Sequence, residues 1–165
     1  MSGYCTRNDG YFITQGTTPA PVGCLGDFTD LASPHVICTY GHYDNPDENY
    51  GIASGRHTVI TDVDGRDPII GDALRMVPEG AIASVRLGNS TAGNQSESVI
   101  YRFLVDASQN DMLLLQYAAV LQNPAHQPAV QPRLSLQILR ADGSEIDDDC
   151  YKMEFVASAV MSSGV

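Results

Sequence analysis

The 165-residue chain has the length of one domain, and a chain of this size buries roughly 70% of the surface that it exposes when unfolded. Its 43% hydrophobic and 18% charged residues are typical of a globular protein and exclude a disordered one. The 20 acidic and 9 basic residues give a net charge of -11, which repels phosphate backbones and argues against nucleic acid as a partner.

The sequence contains no apolar run of about 18 residues, so it predicts no membrane span, and its first residues hold no apolar signal core. We therefore expect either a cytosolic chain or an exported one whose signal was removed. The cysteines favour export, because they are even in number, widely spaced and free of the C-x-x-C pairs typical of zinc and redox motifs. They are Cys5, Cys24, Cys38 and Cys150, and the sequence alone allows three pairings.

Two segments near the start of the chain lack apolar periodicity. Residues 1–23 carry glycine, threonine and proline, which predicts an extended leader ahead of a single domain at 24–165. The segment 41–55 is dense in turn-forming and acidic residues and predicts a long surface loop. Such loops often carry function.

Short apolar runs then alternate with turn residues at intervals of about ten residues, a rhythm typical of an antiparallel β-sandwich. The predicted strands cover 57–63, 81–87, 99–105 and 133–140, with return strands at Ile146 and 151–159. Asp142-Gly143 is the strongest hairpin signal in the chain. The continuous apolar run at 111–122 is compatible with an amphipathic helix and with a buried strand, which periodicity cannot separate.

Clusters of acidic residues are candidate calcium ligands, because Ca²⁺ prefers hard carboxylate oxygens. The segment 62–67 partly resembles the start of a calcium loop, with Gly65 for the tight turn, although Ala73 stands where an EF-hand needs glutamate. The candidate metal ligands are Asp27, Asp62, Asp64 and Asp67. Solvated turn acids are the alternative. We expect no required cofactor beyond a structural calcium ion at these acids.

A glycan-binding surface needs an exposed aromatic platform, which tyrosines must supply because the chain has no tryptophan. Tyr40, Tyr43 and Tyr50 lie in or beside the acidic loop and are the candidate ligand-binding residues. His126 is a further candidate, because its proline-rich loop could display the ring. The alternatives are tyrosines that pack the loop onto the domain and a histidine bonded within its own loop. No G-x-S-x-G motif is present, and we predict no catalytic residues.

Several segments carry a resemblance to a known family. They are His57-Thr-Val-Ile-Thr, Met76-Val-Pro-Glu-Gly, Ser84-Val-Arg-Leu-Gly-Asn, Tyr117-Ala-Ala-Val-Leu-Gln-Asn-Pro-Ala-His and Gln131-Pro-Arg. Together they resemble a module of large secreted Bacteroidetes proteins that act in adhesion, gliding and polymer capture. The opening Gly26-Asp27-Phe28 is similar to the start of jelly-roll carbohydrate-binding and MAM-like modules.

This resemblance implies an all-β fold of two antiparallel sheets in jelly-roll order, with a strand at 117–122. Jelly-roll order would place Cys24 beside Cys150 and leave Cys5 to pair with Cys38. Thr29 stands where such modules often have a calcium-ligating glutamate, a departure from the family pattern.

The resemblance also implies a function. We expect a non-catalytic extracellular module, secreted or at the cell surface and part of a larger multidomain chain. It would bind glycan or protein, or serve as a structural unit of an adhesin. The alternative is an accessory carbohydrate-binding or catalytic domain of a secreted glycoside hydrolase, which would need two carboxylates about 5 to 10 Å apart in a cleft.

Overall fold

The protein is all-β in the computed structural model, which describes residues 4–6, 12–15, 30–102, 113–146 and 151–157. The described residues contain a short 3-10 turn at Pro128–Val130 and no α-helix, and every strand pairing among them is antiparallel. No helix of these residues is long and apolar enough to cross a membrane.

The strands are short and follow one another closely along the chain. They are β1 (Tyr4–Thr6), β2 (Phe12–Gln15), β3 (Val36–His42), β4 (Asn45–Tyr50), β5 (His57–Ile60), β6 (Arg66–Asp67), β7 (Gly71–Arg75), β8 (Ser84–Leu87), β9 (Gln95–Tyr101), β10 (Leu113–Leu115), β11 (Arg133–Gln137) and β12 (Lys152–Val156).

These strands form five small sheets, with the orders β1-β2-β10, β4-β3-β9, β5-β8, β6-β7 and β11-β12. The chain divides into two compact units, residues 1–116 and 117–165. The segment 1–23, predicted as an extended leader, contributes β1 and β2 to a sheet that β10 completes.

The core of the first unit lies on one face of the β4-β3-β9 sheet. Because side chains alternate along a strand, Val36 and Cys38 of β3 point to the same face, where they meet Leu31. Partly buried side chains of β8 and β9 pack against this cluster, namely Val85, Val99 and Tyr101. The apolar contacts of β3 therefore bring β8 next to it and fix the base of the β3–β4 hairpin.

The strand predictions are confirmed in part: five of the predicted runs contain or overlap a strand, but residues 61–63 and 81–83 lie outside the strands, and Ile146 does not form the predicted return strand. β5, β8, β11 and β12 each lie within a predicted run, and β9 overlaps the run at 99–105, whose residues 103–105 are outside the described ranges. The Asp142-Gly143 turn is also confirmed. Asp142 accepts a hydrogen bond from the Ser144 amide at 2.9 Å, and Gly143 adopts a φ of +83°, which favours glycine.

The surface loop predicted at 41–55 is wrong for its first half. β3 continues to His42 and β4 begins at Asn45, so Tyr43 and Asp44 form a two-residue turn. All six side chains of β4 are exposed. A strand of this kind carries no apolar alternation, because its position is set by backbone pairing with β3 rather than by burial.

The strand at 117–122, implied by the family resemblance, is wrong as well. β10 ends at Leu115, and residues 116–127 have neither strand nor helix structure. The ring of Tyr117 packs on that of Phe155 with centroids 5.4 Å apart. Residues 117–120 are exposed, so solvent can satisfy their backbone groups without a ladder.

The cysteine pairing of Cys5 with Cys38 is not made in this structure, in which Cys38 carries a free, buried thiol. Cys38 lies in the middle of β3 and faces the apolar cluster, and this burial raises the pKa of its thiol. The side chain of Cys5 lies outside the described residues, as do Cys24 and Cys150.

Candidate functional site

The turn between β3 and β4 brings three polar and aromatic side chains together on the surface. We call His42, Tyr43 and Asp44 the hairpin tip. The His42 and Tyr43 rings lie 4.7 Å apart at an angle of 47°, and Nδ1 of His42 is hydrogen-bonded to Oδ1 of Asp44. Tyr43 is 51% exposed, so its ring is accessible to a ligand.

A contact with the loop before β9 and a glycine at the end of β3 set the position of this turn. The Tyr43 amide donates to the Asn94 carbonyl at 3.1 Å, which attaches the tip to the loop before β9. The register of the β3–β4 ladder shifts between Tyr40 and His42. At Gly41 a Cβ would overlap the carbonyl oxygen of Asn45, so only glycine fits this close approach.

The hairpin tip carries a negative charge on the Asp44 carboxylate. The hydrogen bond from His42 lowers the pKa of the Asp44 carboxyl below its usual range, so Asp44 is ionised at neutral pH. An exposed ring beside a carboxylate and an imidazole can stack on an apolar sugar face or a side chain while its polar atoms bind hydroxyl or amide groups. This combination suits recognition of a ligand.

A partly buried ion pair lies at the base of the hairpin. Nε of Arg56 donates to Oε1 of Glu97 at 2.5 Å, and the side chains are only 17% and 9% exposed. The Arg56 guanidinium also lies 5.2 Å from the ring centroid of Tyr40. Sequence reasoning missed this pair, because the two residues are 41 positions apart and neither belongs to a motif.

His57 is buried beside this ion pair and uses both ring nitrogens. The Ala53 amide donates to Nδ1 at 3.2 Å, and Nε2 lies 3.0 Å from the Ser98 carbonyl. Since Nδ1 accepts, Nε2 carries the proton and donates. His57 is therefore a structural histidine rather than a free base.

A hydroxyl relay connects β9 to β4. The Thr39 hydroxyl donates to Oδ1 of Asp47 at 2.6 Å, so the 2.6 Å contact between Thr39 and Ser98 uses the Ser98 proton. Thr39 is buried, and its bond to Asp47 holds the otherwise exposed strand β4 in place.

The structure does not bring the three candidate tyrosines to one surface. Tyr50 is 75% exposed and pairs with Thr39, and cross-strand partners share a face. Tyr40 follows Thr39, so it lies on the opposite face, under Arg56. Tyr43 precedes β4 and Tyr50 is its last residue, so the length of β4 separates them and only Tyr43 belongs to the tip.

His126 lies in the second unit, in an exposed loop with defined internal bonds. Nε2 of the buried Gln131 donates to Oδ1 of Asn123 at 3.1 Å and to the His126 carbonyl at 2.9 Å. Ala125 adopts a φ of +60°, which is unusual for a residue other than glycine. His126 is exposed in this loop, and no aromatic or acidic partner for its side chain is found in the described residues.

The predicted calcium ligands are not assembled into a site. Oδ1 of Asp62 accepts a hydrogen bond from the Asp64 amide. Oδ1 of Asp67 accepts hydrogen bonds from the amides of Ile69 and Ile70. Oδ1 of Asp64 lies 3.6 Å from Nη2 of Arg75. Within the described ranges, no three acidic, histidine or cysteine side chains are placed to hold a metal ion. Asp27 lies outside those ranges.

Comparison with known proteins gives no relative: no family model, no curated protein and no solved structure matches the chain.

Proposed function

We propose that this chain is a non-catalytic module of a secreted or cell-surface protein, folded as a jelly-roll β-sandwich, and that it binds a glycan or protein ligand outside the cell. The hairpin tip is its recognition surface. The sequence resemblance supports the extracellular setting, and the acidic net charge fits a partner other than nucleic acid.

One observation carries the proposal of binding at the tip. The half-exposed ring of Tyr43 and the ionised carboxylate of Asp44 lie on a two-residue turn, and each contacts the imidazole of His42, the last residue of β3. Exposed aromatic side chains that are held in place are the residues that most often dominate binding energy.

The test is retention of the full chain on an array of glycans and on immobilised extracellular matrix proteins. Tyr43→Ala removes the ring and should reduce retention about tenfold or more, since truncating a central aromatic residue of an interface costs over 1 kcal/mol. The melting temperature should stay unchanged, because in the described part of the chain the Tyr43 ring packs on the ring of His42 and does not belong to the apolar core.

Tyr151→Ala is the matched control, because Tyr151 is also exposed but lies in the second unit. Its retention should equal that of the unaltered chain. Equal retention of Tyr43→Ala would rule out the tip as the recognition surface, and no retention of the unaltered chain on either support would contradict the proposed function itself.

A further inference from the structure

Arg56 bonds to two strands at once, directly below the hairpin tip. Besides its bond to Glu97, its Nη2 donates to the Gly41 carbonyl at 2.7 Å and to the Ser96 carbonyl at 2.9 Å. Gly41 of β3 and Ser96 of β9 are cross-strand partners. One guanidinium therefore connects β3, β9 and the segment before β5.

These bonds fall where the hairpin is least supported by its own ladder. The β3–β4 register shifts between Tyr40 and His42, and such irregularities bend a strand and leave its direction to be set by other contacts. Arg56 contacts the residue before this irregularity through the Tyr40 ring and the residue within it through the Gly41 carbonyl. His42, the first residue of the tip, follows Gly41 directly.

The neighbouring loops join the same network. The Gly88 amide donates to the Arg56 carbonyl at 2.8 Å, and Nδ2 of Asn89 donates to the Gly55 carbonyl at 3.1 Å. The loop between β8 and β9 also supplies the Asn94 carbonyl that accepts from the Tyr43 amide. The tip is thus attached at two points to elements that Arg56 holds together.

The geometry points to Arg56 and Glu97 as positioning residues that fix the hairpin tip for ligand recognition. Neither touches the ligand in this arrangement. Glu97 orients the guanidinium through Nε, and the guanidinium then presents Nη2 to both carbonyls. This role depends on a planar group with separate donors, which lysine does not have. The inference rests on the proposed function only where ligand binding is concerned.

Arg56→Lys in the full chain tests the inference through the tip itself. NMR should show that the ring contact between His42 and Tyr43 is lost, while the methyl signals of Val85 and Val99 keep their positions, because the apolar core is untouched. Arg133→Lys is the matched control. Arg133 makes an exposed ion pair with Glu154 in the second unit, so the tip signals should not change.

Glu97→Gln provides a second variant in case Arg56→Lys does not fold. It keeps the bonds of Nη2 to the two carbonyls and removes the charge that orients Nε, so the tip signals should shift in the same direction by a smaller amount. The inference would be overturned if a folded Arg56→Lys gave the same tip signals as the unaltered chain. If only Glu97→Gln folds, unchanged tip signals in Glu97→Gln would overturn it.

Binding supplies a separate readout. If the unaltered chain is retained through Tyr43, Arg56→Lys should weaken retention roughly tenfold, since an unordered tip must be ordered on binding. Absence of retention by the unaltered chain would contradict the proposed function and leave the NMR test of positioning decisive. Full retention of Arg56→Lys with a disordered tip would overturn the link between positioning and recognition.

Discussion

Asp44 lies at the hairpin tip, and the pKa of its carboxyl is set mainly by one neighbour, His42. The hydrogen bond from His42 lowers the pKa of its carboxyl. A carboxyl with a lowered pKa in the folded chain contributes stability above its unfolded pKa, about 4, and loses that contribution as the pH falls through the folded value. The contact between Asp44 and His42 should therefore persist at neutral pH and open in acid.

An NMR titration of the Asp44 carboxyl carbon measures this directly. In His42→Ala the pKa of Asp44 should rise toward its usual range, because the largest cause of the shift is removed. Asp142, whose pKa is lowered by its bonds to Ser144, serves as the internal control and should titrate identically in both proteins. An unchanged Asp44 titration in His42→Ala would show that the bond is not formed in solution.

Cys38 is a second residue whose environment has a measurable effect. Burial raises the pKa of its thiol, so the folded chain keeps the proton at a pH where the unfolded chain has lost it. Stability should therefore fall as the pH rises above about 8.5, the usual thiol value. This loss should be smaller in Cys38→Ala.

Urea unfolding of the reduced protein at pH 7 and pH 10 compares the two chains. Every other ionisable group is the same in both chains, so the difference between the proteins isolates Cys38. An identical fall in midpoint would mean that the Cys38 thiol is not buried in the folded state.

At the level of elements, the β3–β4 hairpin depends on one position that cannot hold a side chain. In Gly41→Ala the added Cβ would meet the Asn45 carbonyl oxygen and lie 3.0 Å from Cβ of Glu48. The free energy of unfolding should fall by about 1–3 kcal/mol, the usual cost of forcing a methyl group into occupied space. The midpoint of urea unfolding measures the change.

Gly93→Ala is the matched control for that substitution. Gly93 lies in the loop before β9, and a Cβ there has its nearest neighbour at 3.5 Å, an ordinary contact distance. Its stability should stay within about 0.5 kcal/mol of the unaltered chain. Equal stability of the two variants would show that β4 can move away from Gly41 at little cost.

The elements that could be predicted from the sequence are those encoded locally. β11 alternates Leu134 and Leu136 with polar residues, and Asp142-Gly143 specifies the turn that follows. β4 could not be predicted in this way, since Asn45, Pro46 and Asp47 are all poor strand formers. Its strand structure comes from pairing with β3, a contact that no periodicity within β4 reports.

The candidate site was predicted only in part for the same reason. Tyr43 could be selected as a candidate because the acidic, turn-rich composition around it indicates an exposed segment. Tyr40 could not be separated from it, because the side on which each ring lies depends on the strand pairing. Arg56 and Glu97 meet only through the fold, and a single sequence gives no indication of so distant a contact.

At the scale of the whole molecule, the acidic residues of the segment 62–67 are already bonded to groups of the protein. Asp62 and Asp67 bond to nearby backbone amides, and Asp64 pairs with Arg75. Addition of EDTA should therefore leave the melting temperature unchanged, and so should excess Ca²⁺, because a ligand stabilises a fold only by binding it. A lower melting temperature in EDTA that Ca²⁺ restores would contradict this and would assign a calcium site to the chain.

The exposed strand β4 affects how copies of this chain can associate with one another. Among the described strands it forms an edge of its sheet, and sheet edges readily add strands from other molecules, which leads to aggregation. Pro46 offers no amide proton, and two β4 strands meeting side by side would bring the carboxylates of Asp47 and Glu48 against each other. The hairpin can thus project into solvent at high local density without seeding fibrils of its own chain.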